Sequence, residues 1–88
     1  MIERDVDYYG GDFDYIEDVL SAENCAVLCA NHDQCDSWTW GKAPNQSYTN
    51  RCYLKNGTPS ASSDTCCDSG LKNACLSSTI YEKYCREV

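Results

Sequence analysis

The sequence predicts a small disulfide-rich α+β domain in which one short helix is held against a few strands by oxidised cysteines. The helix is legible in Ser21 to Cys35, SAENCAVLCANHDQC, which carries two cysteines on one amphipathic face. The strands are legible in DFDYI, DSWTW and RCYLK, which alternate apolar with polar residues or are rich in aromatic and β-branched ones. The staples follow from eight cysteines in 88 residues, a density that marks a disulfide scaffold and an oxidising compartment. At this length an apolar core alone is marginal, so covalent bridges answer a physical need.

Taken in order, Val6 to Tyr9 is a short β-type segment, and Gly10-Gly11 supplies positive φ for a tight turn. Asp12 to Ile16 places Phe13 and Tyr15 on one side of a strand, and Val19-Leu20 leads to a helix cap at Ser21. The Ser21 hydroxyl can accept from amides of the first helical turn, where Glu23 also suits the positive end of the dipole. Ala22 to Ala30 is expected to be helical, with Ala22, Cys25, Leu28 and Cys29 in one stripe running on to His32, and Leu20 stapled over the first turn. Asp36 to Trp40 gives Trp38 and Trp40 to one face of a strand and Ser37 and Thr39 to the other. In RCYLK, Cys52 and Leu54 point inward, while Arg51, Tyr53 and Lys55 share the opposite face. Two loops are expected, over 41–50 and 56–65, the second opening on Asn-Gly and rich in serine. Cys66 to Leu71 returns toward the sheet, and the tail after Cys75 is equally readable as helix or strand.

The chain has a formal charge of −7, and Met1 to Glu23 alone carries eight carboxylates against Arg4. An acidic face near the N-terminus is therefore expected, and nucleic acid and membrane insertion are excluded as partners on grounds of repulsion and of polarity. No secretory signal opens the sequence, since Ile2 is followed at once by Glu3, Arg4 and Asp5, whereas the cysteines call for export. The reconciling expectation is a module of a longer secreted protein. Cys85-Arg86-Glu87-Val88 can also be laid on Glu3-Arg4-Asp5-Val6, as if a second copy were beginning.

Catalysis, metal binding and cofactors find little support in the residues. His32 is the only histidine, no G-x-S-x-G occurs, and thiols in disulfides are not nucleophiles. Cys25, Cys29, Cys35 and His32 lack the CxxC knuckles of structural zinc sites, and Asp5, Asp7, Asp12 and Asp14 miss the calcium-loop register. The chain is expected to be no enzyme and to hold no metal and no cofactor. Asn45 and Asn56 head glycosylation sequons in expected loops. Tyr8, Tyr9, Tyr48 and Tyr53 are candidate exposed aromatic contacts, and loop position selects Tyr48, Tyr53, Lys55 and Lys42 as the candidate ligand-binding set.

The ordered set DVDYYGGDF, CAVLC in a helix, C-x-SWTW, RCYLK and a D-S-G-x-x-x-x-C ending resembles the PAN/apple module, most closely the repeated apple modules of apicomplexan microneme adhesins. The resemblance covers residues 5–75, leaving 1–4 as an N-terminal linker and 76–88 as a tail or linker to a following module. It implies an antiparallel sheet with the helix packed across it, and bridges Cys25–Cys52 and Cys29–Cys35. It also implies a secreted adhesion module, stored in a secretory organelle, that binds host-cell protein or carbohydrate. Within protease precursors such modules bind other domains of their own protein, which is the alternative expectation here. The family's cysteine before the VDYYGG-like segment is missing, so Cys75 lacks its expected partner. Either Cys66, Cys67, Cys75 and Cys85 form two bridges among themselves, or Cys85 belongs to the next module. The favoured pairing joins each of Cys66 and Cys67 to one of Cys75 and Cys85, because a bridge between adjacent residues is strained and rare.

Overall fold

A computed structural model describes residues 2–43 and 47–72. Among them the chain forms strands β1 (Glu3–Tyr8), β2 (Asp12–Ile16), β3 (Ser37–Gly41), β4 (Cys52–Lys55) and β5 (Ala61–Leu71), with helix α1 (Ala22–Ala30) between β2 and β3. The sheet runs β1-β5-β3-β4-β2, with every neighbouring pair antiparallel. The helix lies across it, which is the α+β architecture expected from the sequence.

Helix α1 begins where its cap dictates. Ser21 is extended and its hydroxyl accepts from the Asn24 amide at 3.1 Å. Its inward stripe is Ala22, Cys25 and Cys29, all buried, and it meets Val19, Cys35, Trp38, Cys52 and Leu54 in the core. Cys25 is bonded to Cys52 and Cys29 to Cys35, the two pairs implied by the family resemblance. The first bridge ties helix to β4, and the second closes the turn leading into β3.

Strand β3 is the middle of the sheet, and period-2 alternation divides its side chains between two environments. Trp38 faces the helix and lies flat on Gly70 of β5, where an added Cβ would stand 2.7 Å from the indole ring. Ser37 and Thr39 face the other side and are buried, Thr39 Oγ1 sharing a 2.8 Å hydrogen bond with Ser69 Oγ. Trp40 donates its indole N–H to the Val19 carbonyl at 2.7 Å, fixing the segment that enters the helix.

Several local expectations are corrected. β1 begins at Glu3 and Ile2 joins the core, so residues 2–4 belong to the fold rather than to a linker. The reason is a ladder to β5, with Glu3 opposite Ser69 and Arg4 opposite Asp68. Val19, not Leu20, packs under the helix; Leu20 is 71% exposed. Asp18 takes φ 63°, which breaks strand alternation just before the cap and rotates Val19 inward. Phe13 and Tyr15 do not share a face. An irregularity between Asp12 and Asp14 inserts a residue, so Phe13 packs on the core and on the His32 ring, 4.9 Å away, while Tyr15 lies beside Tyr53.

The expected 56–65 loop is shorter, because β5 starts at Ala61 and its first residues pair with Val6, Asp7 and Tyr8. Backbone pairing to an edge strand needs no apolar side chain, which is why a serine-rich stretch can extend the sheet. Cys66 and Cys67 are bonded to each other, contrary to the favoured pairing with Cys75 and Cys85. Both lie in β5, where the Lys42 N–H donates to the Cys66 carbonyl at 2.8 Å and Cys67 pairs with Gly41 of β3, and the two sulfurs meet locally. Cys75 and Cys85, like the sequon residue Asn45, lie outside the described residues.

Candidate functional site

The face of the sheet away from the helix bears a concavity of about 280 Å³. Its floor is built by alternation: Thr39 from β3, Tyr53 and Lys55 from β4, and Cys67 from β5 all point to this side. Its rim comes from the turns and edges, namely Asp7 on β1, Tyr9 and Gly10 just after it, Asp12 at the start of β2, Tyr48 from the loop after β3, and Asp64 and Cys66 on β5.

Lys55 is the most constrained polar group here. It is only 2% exposed, and its Nζ donates to the Gly10 carbonyl at 3.0 Å and to the Asp12 carboxylate. Two glycines make that reach feasible. Gly10 and Gly11 adopt φ +97° and +75°, and a Cβ on Gly11 would stand 3.0 Å from the Asn56 carbonyl oxygen. The turn therefore folds tightly over the end of β4, with the Asn56 amide donating to the Gly11 carbonyl at 2.9 Å. The Lys55 ammonium also lies 5.7 Å from the Tyr53 ring centre.

Aromatic surface continues outward from the floor. Tyr53 stands beside Tyr15 at 6.0 Å, and the Arg51 guanidinium lies 4.4 Å from the Tyr15 ring centre while pairing with Glu17 at 2.8 Å. Tyr9 stands on the rim, 84% exposed, beside the double-glycine turn. The Asp7 carboxyl is held above the usual carboxylate range, first by burial and further by Asp64 and Asp12, with Lys55 acting the other way.

Of the four ligand-binding candidates, Tyr48, Tyr53 and Lys55 line this concavity. Lys42 does not. One residue beyond Gly41, it points to the helix side, where its Nζ lies 3.0 Å from Asp68 and also pairs with Asp5. Tyr8 is likewise no exposed contact: it is buried, its amide donates to Thr39 Oγ1 at 3.4 Å and its hydroxyl donates to Glu3. Burial, then that bond, push the Tyr8 hydroxyl up to about 12. Asn56 is exposed after β4. His32 sits past the helix end and accepts the Gln34 amide on Nδ1 at 3.1 Å. Cys25, Cys29 and Cys35 spend their sulfurs in disulfides. Asp7, Asp12 and Asp64 are the lining residues that loop position did not select. Their signal is a carboxylate two residues from Tyr9 and another just after Gly10-Gly11, but Asp64 needs the β1–β5 pairing to be seen.

The Lys42 cluster is a structural clamp at the other end of β1. Asp68 is buried and accepts from the Asp5 amide at 3.0 Å and from Arg4 at 3.0 Å, with Lys42 at 3.0 Å. Burial alone would raise its carboxyl, yet the Asp5 amide, Lys42 and Arg4 outweigh it and hold it below the usual range. A carboxyl depressed on folding stabilises fully above its unfolded pKa, about 3.9, and loses that contribution as pH falls through the folded value. Urea midpoints of the wild type should therefore fall below about pH 4. Asp68→Asn should cost about 2 kcal/mol at neutral pH and flatten the acid limb. Identical acid limbs in the two proteins would refute the clamp.

The geometry defines a class: a disulfide-stapled α+β module presenting a small aromatic and charged concavity on an open sheet face. A family model described as PAN domain matches residues 6–55, more than half of the chain, and the chain belongs to that family. PAN domains are generally non-catalytic modules that bind protein or carbohydrate, and the disulfide-rich composition goes with an extracellular or secreted setting. The match takes in α1 and both bridges of the core but ends before β5, which supplies Asp64 and the Cys66–Cys67 wall. Comparison with curated proteins found no match.

Proposed function

We propose that this chain is a non-enzymatic recognition module, one repeat of a larger secreted adhesin stored in a microneme-like organelle, that engages a host-cell surface through the concavity opposite the helix. The observation that carries the reading is the convergence of Tyr9, Tyr48 and Tyr53 with buried Lys55 in one concave patch of a rigid sheet. Side chains held by a disulfide frame lose little freedom on binding, which is what a small recognition surface requires. A single copy binds weakly, and several copies in one protein raise the avidity.

The test is binding of the chain to cultured cells and to a glycan array, with Tyr9→Ala as the diagnostic variant. Tyr9 is exposed, so its removal leaves the fold intact and should weaken cell binding about tenfold. Cell or glycan binding that is indifferent to Tyr9→Ala would overturn the placement of the site. Absence of such binding together with self-association in ultracentrifugation would favour an assembly role within the parent protein.

A further inference from the structure

The charge of the concavity narrows what it can accept. Its ionisable lining is Asp7, Asp12 and Asp64 against the single ammonium of Lys55. Lys55 is already engaged by Asp12 and the Gly10 carbonyl, so that pair cancels and two carboxylates are left over. Asp64 accepts the Cys66 amide at 3.0 Å, a contact within its own strand that brings no positive charge. Among the described residues no basic side chain forms an ion pair with Asp7 or Asp64.

The walls agree with the charges. Tyrosine faces attract cations, and Tyr9, Tyr48 and Tyr53 surround the same space. The Cys66–Cys67 disulfide gives an apolar contact suited to a methylene stem. A volume of about 280 Å³ lies just below the range of drug-sized sites, about 300 to 1,000 Å³, and fits one side chain better than an oligosaccharide. Phosphate, sulfate and carboxylate ligands would meet two uncompensated negative charges. The chain's net charge of −7 steers a basic partner toward the surface.

We propose that this concavity receives a basic side chain of a partner protein, a lysine ammonium or arginine guanidinium, with Asp7 and Asp64 as counter-charges and the tyrosines as walls. The proposal rests on the reading of the concavity as the recognition surface and names its ligand class. Burial already destabilises the ionised Asp7, so an entering cation relieves a cost present in the free protein. The groups facing Asp7 are Lys55 from β4, Asp12 from β2 and Asp64 from β5, and none of the three is a second cation.

The experiment is an amide-shift titration of the isotope-labelled chain with the N-acetyl methylamides of lysine, arginine and glutamine, and with methyl glucoside. The lysine and arginine probes should shift the amides of Tyr9, Lys55 and Cys66, and glutamine should not. Affinity should fall about tenfold in the Asp7→Asn/Asp64→Asn double variant and stay unchanged in Asp33→Asn, an exposed carboxylate elsewhere. In the wild type it should also weaken as pH falls and Asp7 protonates, which burial makes happen at a higher pH than for an ordinary carboxylate. The pH series needs no variant and so stands even if the double variant folds poorly. Equal shifts with glutamine, or cation binding unaffected by the double variant and by pH, would overturn the proposal. Shifts with glucoside alone would overturn it while leaving the recognition reading intact; no shift with any probe would count against both.

Discussion

Replacing Cys25 and Cys52 together by alanine should remove about 3.6 kcal/mol through loop closure alone, enough to leave a large fraction of the chain unfolded at 37 °C. The bridge spans 27 residues and joins the middle of α1 to the first residue of β4. Nothing else could hold the helix as well. Nine residues are too few to be helical in isolation, so α1 exists because its inward stripe is fastened to the sheet. Both sulfurs are fully buried among Trp38, Leu54 and Val19, and their removal leaves a void that adds roughly 1 kcal/mol. The Cys29–Cys35 bridge closes a much shorter loop, about 2.4 kcal/mol on the same model, and it fastens only the helix end. Urea denaturation of both double variants should thus rank Cys25/Cys52 as the more damaging loss. A difference of less than about 1 kcal/mol between that variant and wild type would show that packing, not the bridge, seats the helix.

The helix was readable because local chemistry decides it. Ser21 has one good role, Cys25 and Cys29 are one turn apart, and the observed Ala22–Ala30 span is the one the cap predicts. Strands β3 and β4 were readable for a similar reason, since alternation alone sends Trp38 and Leu54 one way and Thr39, Tyr53 and Lys55 the other. What escaped a one-dimensional reading depends on partners far along the chain. The first half of β5 has no apolar periodicity and becomes strand only because β1 offers it a ladder. That same pairing brings Asp64 across from the Asp7 region, so the acidic half of the concavity is invisible until the sheet is closed. Loop position groups Lys42 with the others, whereas strand alternation carried one residue beyond Gly41 turns it to the helix side, toward Asp68. The strain and rarity of adjacent-residue bridges argue against Cys66–Cys67, but these are general grounds that carry no information about how β5 is held.

Gly41→Ala should cost about 2 to 3 kcal/mol and displace the Tyr48 wall of the concavity in one stroke, and with it the binding proposed there. A Cβ on Gly41 would stand 2.1 Å from the Tyr48 carbonyl oxygen and 2.9 Å from its ring Cδ1. The backbone of Gly41 is not in the left-handed region, so the cost is collision rather than conformational preference. Neither party can yield cheaply. The Gly41 amide donates to the Arg51 carbonyl at 3.0 Å and its own carbonyl accepts the Asn50 amide at 2.8 Å. The Tyr48 carbonyl in turn accepts the Arg51 amide at 3.1 Å, and the Asn50 carbonyl accepts the Val19 amide at 2.8 Å. Moving Tyr48 away therefore breaks a set of backbone bonds that also fixes the entry to α1, and it pulls the Tyr48 ring off the wall of the concavity. Gly57→Ala is the matched control: φ is +74° there and a Cβ would meet nothing within 4 Å, so its cost of about 1 to 2 kcal/mol comes from backbone conformation and should leave the site amides unmoved. Chemical denaturation gives the stability of each variant, and amide shifts of Tyr48 and Tyr53 report the site. A Gly41→Ala protein as stable as wild type, with those amides in place, would mean that the Tyr48 loop is not seated on β3 and that the concavity has no fixed wall on that side.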